Sequence, residues 1–290
     1  MPKISGNELL RLNHNDVLLN YSYNIIHQTV NQSMTYLKKH QKYISSWGAN
    51  HPEALHVIWS DNDNYTLVKT HYPDYLQTYN ELPLKINRID MIRYMYMHRF
   101  GGMYADADFE AHTNIFDIIK NDAEDVYIVK SNYLINEYVQ NSLLISKTIN
   151  NEFWISALNM MAQINNFIRT GALDCDQRTS KPFYFYNIFL REAMKNLYVT
   201  RISGPSLIDK VIVSNIGNPD VKIKILGCEY INSIATHHQN ASWFTGKQLI
   251  CMVAPTLLAI IFIFLICILG IYLASKKKQH QQRYLLNPII

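Results

Sequence analysis

Short apolar runs alternate along this chain with longer stretches in which apolar side chains recur every three or four residues. Tyr23–His27 suits a buried strand, and Met34–Ser46 after it reads as a helix. Ala54–Trp59 reads as a second strand, closing in a turn-forming cluster from Ser60 to Asn64. Leu84–Arg99 reads as a helix with Ile86, Ile89 and Met97 on one face. On that helix Asp90 and Arg93 stand three apart and project near each other, as in an ordinary surface ion pair. Gly101-Gly102 stops it, and the short apolar Met103–Ala105 follows. Val126–Val129 and Lys222–Leu226 are further strands, and Phe153–Phe167 is a helix. Strand and helix in this alternation predict an α/β domain around a mainly parallel sheet.

The pattern changes near the C-terminus. Of the residues from Leu249 to Ala274, only Pro255, Thr256 and Gly270 fall outside the hydrophobic class, and none is charged. At about 1.5 Å per residue this run exceeds a hydrocarbon core of about 30 Å, which predicts one transmembrane helix. The expected layout is a domain over 1–247, a membrane helix over 248–275 and a short basic tail over 276–290. The Lys276-Lys277-Lys278 flank argues for a cytoplasmic tail, with the body on the lumenal or outer side. The N-terminal stretch has no apolar core of the kind that starts translocation, which argues for late insertion and a cytosolic body. Both orientations stay open. Asn20, Asn31, Asn64 and Asn240 open N-x-[ST] triplets, which are too common to decide between them. Cys175 and Cys228 lack metal-ligand spacing, and Cys251 and Cys267 lie in the apolar run.

Composition adds exclusions. With 48% hydrophobic and 17% charged residues, wholesale disorder is excluded. The net charge of +4 sits entirely in the tail, because residues 248–290 hold four basic and no acidic side chains. The neutral body offers no concentrated basic surface for nucleic acid.

Gly101-Gly102-Met103-Tyr104-Ala105-Asp106-Ala107-Asp108 carries the clearest chemistry. In an extended segment Asp106 and Asp108 share one side, and two carboxylates held together repel until a divalent cation relieves them. Mg²⁺ and Mn²⁺ take carboxylate oxygens and keep positions for phosphates, so Asp-x-Asp at the C-terminal edge of a parallel sheet suits the diphosphate of an activated donor. Alone, the triplet is better explained by a solvated turn.

Ordered landmarks then resemble one family, the DXD-containing glycosyltransferases of the Och1-like type (glycosyltransferase family 32). Asn24 to Thr29 resembles its opening "IPKIIHQTW" segment, with Val30 where tryptophan is usual. Ser46-Trp47 through Asn50 to Glu53, then Val57 to Asp61, resembles "SW…NPxxxxxxWxD". Arg88 to Tyr94 followed by Gly101 to Asp108 is the most specific block. Asn141 with Phe153-Trp154, Ser203-Gly204-Pro205, and His237/His238 with Ser242-Trp243 match later landmarks.

The resemblance implies a GT-A-like fold and sugar transfer from a nucleotide-sugar with Mn²⁺ or Mg²⁺ bound, with retention of configuration. It implies GDP-mannose as donor ahead of UDP-galactose or UDP-glucose. By the same carry-over, Asp108 ligates the metal, and Asp106 contacts ribose or sugar and reaches the metal directly or through water. Asp90 and Arg93 hold the sugar, and Tyr104 lines the nucleotide pocket. Trp243 closes over the diphosphate with Ser242 near the metal, and His237 or His238 helps hold phosphate. The acceptor it implies is a glycolipid, such as an inositol-phosphorylceramide, or a membrane-bound glycan. The location it implies is a membrane of the Golgi or secretory type. The alternative from a different class is a membrane-anchored, non-catalytic sugar-binding or assembly subunit. Glycoside hydrolysis fits less well, because it uses carboxyls about 5–9.5 Å apart across a sugar.

Overall fold

The computed structural model describes residues 2–31, 33–133, 136–170, 199 and 201–238, together with Ile266, Ile268, Tyr272 and Lys276. The chain divides into one unit of Met1–Asn187 with Leu197–Trp243, and a second of Ile188–Asn196 with Phe244–Ile290. The four described residues of the second unit are helical and exposed, and Lys276 Nζ lies 5.9 Å from the Tyr272 ring centroid. The rest of the 249–274 run lies outside the described residues. Among those described, no helix is long and apolar enough to cross a membrane.

The first unit is built on a seven-stranded sheet. Its elements run β1 (Lys3–Ser5), α1 (Gly6–Arg11), α2 (His14–Tyr21), β2 (Ile25–Thr29), α3 (Met34–Asn50), β3 (Leu55–Trp59) and α4 (Asp61–His71). A 3-10 turn leads into α5 (Leu76–Glu81), α6 (Lys85–Phe100), β4 (Gly102–Ala105), β5 (Phe109–Ala111) and α7 (Ile115–Ile119). Then come β6 (Val126–Tyr133), β7 (Asn136–Ser146), α8 (Glu152–Thr170), α9 (Pro205–Ser214), β8 (Ile223–Leu226), α10 (Cys228–Ile234) and β9 (Ala235–His237). The sheet order is β1-β3-β2-β4-β7-β6-β8, while β5 and β9 form a separate antiparallel pair.

Pairings are parallel from β1 through β3 and β2 to β4, and again between β6 and β8. Only β7 runs against its neighbours. The mainly parallel α/β sheet expected from the alternation is therefore present, with β7 as an addition. Side chains alternate across it, as a pleat requires. Ile25 and Tyr104 enter one buried cluster with Tyr94, Trp154 and Leu207. Ile26 and Met103 enter a second on the other face with Trp47, Tyr127 and Ile231.

Two local expectations change. The polar run after β3 is not a loop. Ser60 caps α4, its hydroxyl accepting from the Asp63 amide while Asp63 Oδ2 accepts from the Ser60 amide, so the acidic residues supply a helix start. The sequon at Asn64 is sealed inside, where Asn64 Oδ1 accepts from the Tyr96 hydroxyl.

The α6–β4 junction depends on glycine. Gly101 ends α6 at φ +66°, ψ −152°, a region closed to other residues. Gly102 follows at φ +81°, and a Cβ there would stand 2.3 Å from the Ile25 carbonyl oxygen on β2. Strain and backbone collision together predict that Gly102→Ala costs about 3 kcal/mol or more, read as a shifted urea midpoint. A midpoint unchanged from wild type would contradict this packing.

Three of the buried imidazoles sit on or beside β2 and β3. The Nε2–H of His27 donates to the Gly101 carbonyl and its Nδ1 accepts from the Trp59 indole. His56 donates to Gln28 Oε1, and His51 donates to the Trp47 carbonyl while accepting from the Ile115 amide. A second proton on His27 or His51 would face another N–H. Burial pushes His27 and His56 down to about 3 and His51 to about 4. The unfolded chain takes these protons near pH 6.5, so between that value and the folded ones it binds more protons. Their contribution to stability is complete above pH 6.5 and drains as pH falls, by up to about 1.4 kcal/mol per unit per residue. Asp90, held up at about 6 by burial, offsets one of these slopes down to its unfolded range. Urea unfolding at stepped pH is expected to show the loss beginning below pH 6.5. Flat stability to pH 5 would overturn it.

Candidate active site

The C-terminal ends of β2, β3 and β4 open on the same side, the edge where parallel α/β sheets hold ligands. Asp106 leaves β4 there. Its amide donates to the Ser142 carbonyl at 2.9 Å, and the Phe109 amide returns to the Asp106 carbonyl at 3.0 Å. Asp106 to Asp108 is thus a tight turn into β5, and the extended segment expected from the sequence is corrected. The carboxylates still converge, because the turn brings Asp108 back toward β9. Asp106, Asp108 and His237 each offer a ligand atom, all within 4.8 Å of one another. Carboxylate and imidazole donors in this number suit a hard or borderline divalent cation such as Mn²⁺ or Mg²⁺.

Strand geometry separates the two histidines. His237 ends β9, stacks on Phe109 with centroids 4.2 Å apart and places Nε2 3.4 Å from Asp108 Oδ1. His238 leaves in another direction, stacking on Tyr43 at 4.1 Å with Nε2 3.0 Å from Glu110 Oε2. Ser242 and Trp243 lie outside the described residues.

Beneath Asp106 lies a buried polar network. The Arg93 guanidinium is 3.1 Å from Asp90 Oδ1 and 3.2 Å from Asp106 Oδ1, and it donates to the Asn141 carbonyl at 2.5 Å. It also lies over the Tyr104 ring, 4.6 Å from the centroid. Tyr104 donates its hydroxyl to Asp106 Oδ1 at 2.6 Å. The Asp90 and Arg93 side chains are each 3% exposed, against 31% for Asp106. The pair is a core feature, not a surface one. Asp90, Arg93 and Tyr104 reach the cleft through Asp106.

The charges explain one another. Burial drives the Asp90 carboxyl up to about 6, against the pull of Arg93. Burial also works against the charge on Arg93, but Asp106, Tyr104 and Asp90 outweigh it and keep it protonated. Asp106 is raised by burial, lowered by Arg93 and raised again by Asp108. A cation at the turn relieves that last repulsion.

Four contributors carried no chemical expectation. Ser203 donates to Asp90 Oδ2 at 2.6 Å and accepts from Asn87 Nδ2 at 2.8 Å, tying the 203–205 turn to α6. Ser142 and Asn141 supply their carbonyls from an irregularity in the β6–β7 pairing, where Ile128 faces Leu144 but Val129 faces Gln140. That bulge frees β7 to serve Arg93 and Asp106. Tyr36, on the first turn of α3, faces the acidic turn, and burial with the charges of Asp106 and Asp108 pushes its phenol up to about 12. Its place after the β2 loop was the only sequence signal.

A buried cation-and-carboxylate bed therefore lies under a paired acidic turn, on the ligand edge of an α/β sheet. Residues 38–126 match the family described as glycosyltransferase sugar-binding region containing DXD motif. The match covers less than a third of the chain. It includes Asp90, Arg93, Tyr104, Asp106 and Asp108 and ends before Asn141, Ser203 and His237.

Among similar proteins is Inositol phosphoceramide mannosyltransferase 3 of Schizosaccharomyces pombe, 36% identical over 58 residues, which is 20% of this chain and 16% of that protein. Another is Mannosyl phosphorylinositol ceramide synthase CSH1 of Saccharomyces cerevisiae, 34% identical over 87 residues, 29% of this chain and 22% of that one. The matches therefore span about a fifth of the length of these relatives. A solved structure, the UDP-bound glycosyltransferase domain from the YGT toxin, aligns over 78% of this chain and 82% of its own. It does so at 10% identity and a TM-score of 0.44, too loose a likeness to carry a conclusion about this site.

Proposed function

We propose that this chain is a metal-dependent, retaining hexosyltransferase of GT-A-like fold, moving mannose from GDP-mannose, or a hexose from UDP-galactose or UDP-glucose, to a membrane-associated acceptor. The observation that carries the reading is the convergence of Asp106, Asp108 and His237 above the buried Arg93. Mn²⁺ or Mg²⁺ held there supplies positive charge to the donor's diphosphate. Asp106, Asp108 and His237 would hold the ion, with the orientation of Asp106 fixed by Arg93 and Tyr104. Ser242 and Trp243 act from the segment that follows β9.

In the transfer, the acceptor hydroxyl oxygen bonds to the anomeric carbon on the face the donor leaves. The bond from that carbon to the phosphate oxygen breaks, its electron pair departing on the nucleoside diphosphate, and the hydroxyl proton passes to that oxygen. Arg93 stabilises the growing negative charge from below, through Asp106's fixed position. The relatives' names speak of inositol phosphoceramide, which supports a glycolipid acceptor, in a Golgi or secretory-type membrane reached through residues 249–274.

The test is a nucleotide-sugar screen with Mn²⁺, reading free nucleotide first and product mass from lipid and glycan acceptors second. Release from one donor, abolished by chelation and restored by metal, is the expected result. No turnover of any common nucleotide sugar under several metals overturns the reading.

A further inference from the structure

A second cluster of ionisable side chains lies at the other edge of the sheet, where the parallel strands begin. α4 follows β3 and α6 leads into β4, so both helices run back from the ligand edge. Their ends carry His71, the last residue of α4, and Arg99, next to last in α6. α2 contributes His14 as its first residue. Phe100, 3% exposed, forms the floor. The His14 ring stands edge-on to it with centroids 5.7 Å apart, and the Arg99 guanidinium carbon lies 5.5 Å from its centroid. Behind Phe100, with centroids 5.8 Å apart, sits His27, which burial keeps neutral down to about 3.

The cluster is positive and lacks a counter-charge. Burial and Arg99 hold the His14 pKa down, and burial, Arg99 and His14 together do the same to His71. Burial also lowers Arg99, and the group opposing it is the Tyr72 phenol, not a carboxylate. His98, beside Arg99 on α6, has its own partners: Nδ1 lies 2.8 Å from the Tyr72 hydroxyl, and Glu152 opposes the lowering that burial causes. Arg11 and Lys69, in the last turns of α1 and α4, are exposed. Among the described residues, His14 Nδ1 and Arg99 Nε are buried with no hydrogen-bond partner. Buried donors left unmet mark the place of a water or an ion.

Helix ends account for part of this arrangement. A cation suits the carbonyl ends of α4 and α6, although the Tyr72 amide already meets the Val68 carbonyl and the Gly101 amide that of Met97. His14 stands at the amide end of α2, where a cation is disfavoured and an anion belongs. Asp16, the carboxylate of that turn, is exposed, and the charge that acts on His14 is Arg99.

We propose that His14, His71 and Arg99 form a binding site for a phosphate-type oxyanion, separate from the acidic turn and on the opposite edge of the sheet. Such an ion supplies the missing charge and accepts several N–H bonds at once. Two sources present this group, free phosphate and the phosphate head of a lipid. Leu12, two residues ahead of His14 and 51% exposed, is placed to meet the apolar part of the second. A bound anion favours protonated imidazoles, so the complex holds more protons than the free protein and affinity climbs as pH falls.

The experiment titrates the full chain with sulfate, which stays a dianion throughout, at about pH 8 and about pH 5.5, against chloride at equal ionic strength. Saturable binding of sulfate, roughly tenfold tighter at the lower pH, is the expected result. Arg99→Gln should weaken it about tenfold at both pH values, and His71→Asn should cut the pH-dependent gain to about threefold. Donor turnover should stay within about twofold in both variants, because the two sites share no residue. If Arg99→Gln does not fold, the pH profile of His71→Asn decides alone. Inorganic phosphate and dihexanoyl phosphatidate then separate the sources. Equal affinities assign the site to free phosphate, and tighter lipid binding that Leu12→Asn removes assigns it to a lipid headgroup. Chloride matching sulfate means screening alone, and sulfate binding that both variants retain in full puts the anion elsewhere. Either result, or no binding at the lower pH, overturns the site. The titrations need no turnover, so a failure of the transferase reading is a separate outcome.

Discussion

Asp108→Ala is expected to lower donor turnover by about 10³-fold, about 4 kcal/mol of transition-state stabilisation, without unfolding the protein. Two features make the loss so large. Asp108 is one of only three candidate ligands in the described cluster, and it lies 3.4 Å from His237, so its removal also takes away that imidazole's carboxylate neighbour. Stability should survive, because Asp108 sits on a turn and its charge raises the pKa of Asp106. Removing it relieves a repulsion in the metal-free protein.

Metal binding gives a readout apart from turnover. Ligand binding to the folded state alone adds about 2.7 kcal/mol at a hundredfold excess over Kd. Mn²⁺ should therefore raise the melting temperature of the wild type and leave that of Asp108→Ala in place. Asp108→Asn should behave nearly as the alanine variant, since an amide keeps the shape and loses the charge. Full turnover in Asp108→Ala, or turnover indifferent to chelation, would show that the acidic turn is not where the donor is held.

Arg93→Met is expected to cost about 3–5 kcal/mol of folding stability, the range for leaving a buried ion pair half made. Arg93 serves Asp90, Asp106 and the Asn141 carbonyl at once, and all three lose their partner together. Lysine should rescue little, because a single ammonium cannot span three acceptors set around a planar fork. The penalty should also depend on pH. Asp90 already holds its proton to about 6 in the fold, and without Arg93 it holds it higher. Wild type and variant share the same slope between 3.8 and about 6, so the deficit grows as pH rises above about 6, where only the variant's Asp90 keeps its proton. In acid the deficit shrinks. Combining Arg93→Met with Asp90→Asn should cost less than the two single changes added, since the second removes the charge the first left uncompensated. Strict additivity would mean that the two side chains do not act as a unit.

Local rules reached far into this protein. The apolar runs at 23–27, 54–59, 103–105 and 126–129 overlap β2, β3, β4 and β6, because a buried parallel strand shows as a continuous apolar run. Period-3.6 patterns located α3, α6 and α8, and three-residue spacing on α6 was enough to pair Asp90 with Arg93. Short-range reading failed where the partner lay far along the chain. β7 carries Asn and Gln among its apolar residues, and its antiparallel place was settled by β4 and β6 on either side. The Ser60–Asn64 cluster looked like a turn because the residues that cap helices are also those that make turns.

The amino-acid sequence by itself determined which residues carry the charge: an Asp-x-Asp after a glycine-stopped helix, an arginine three residues beyond an aspartate, and two adjacent histidines far downstream. Only the tertiary structure decided what each of them faces. His237 rather than His238 joins Asp108 because β9 pairs with β5 in one register, Phe109 against His237. Asp90 and Arg93 are sealed rather than exposed because α6 packs that face into the core, where Ser203, more than a hundred residues away, donates to Asp90. Burial and long-range register are properties of the packed chain, and they give a common acidic triplet a buried counter-charge and a third candidate ligand.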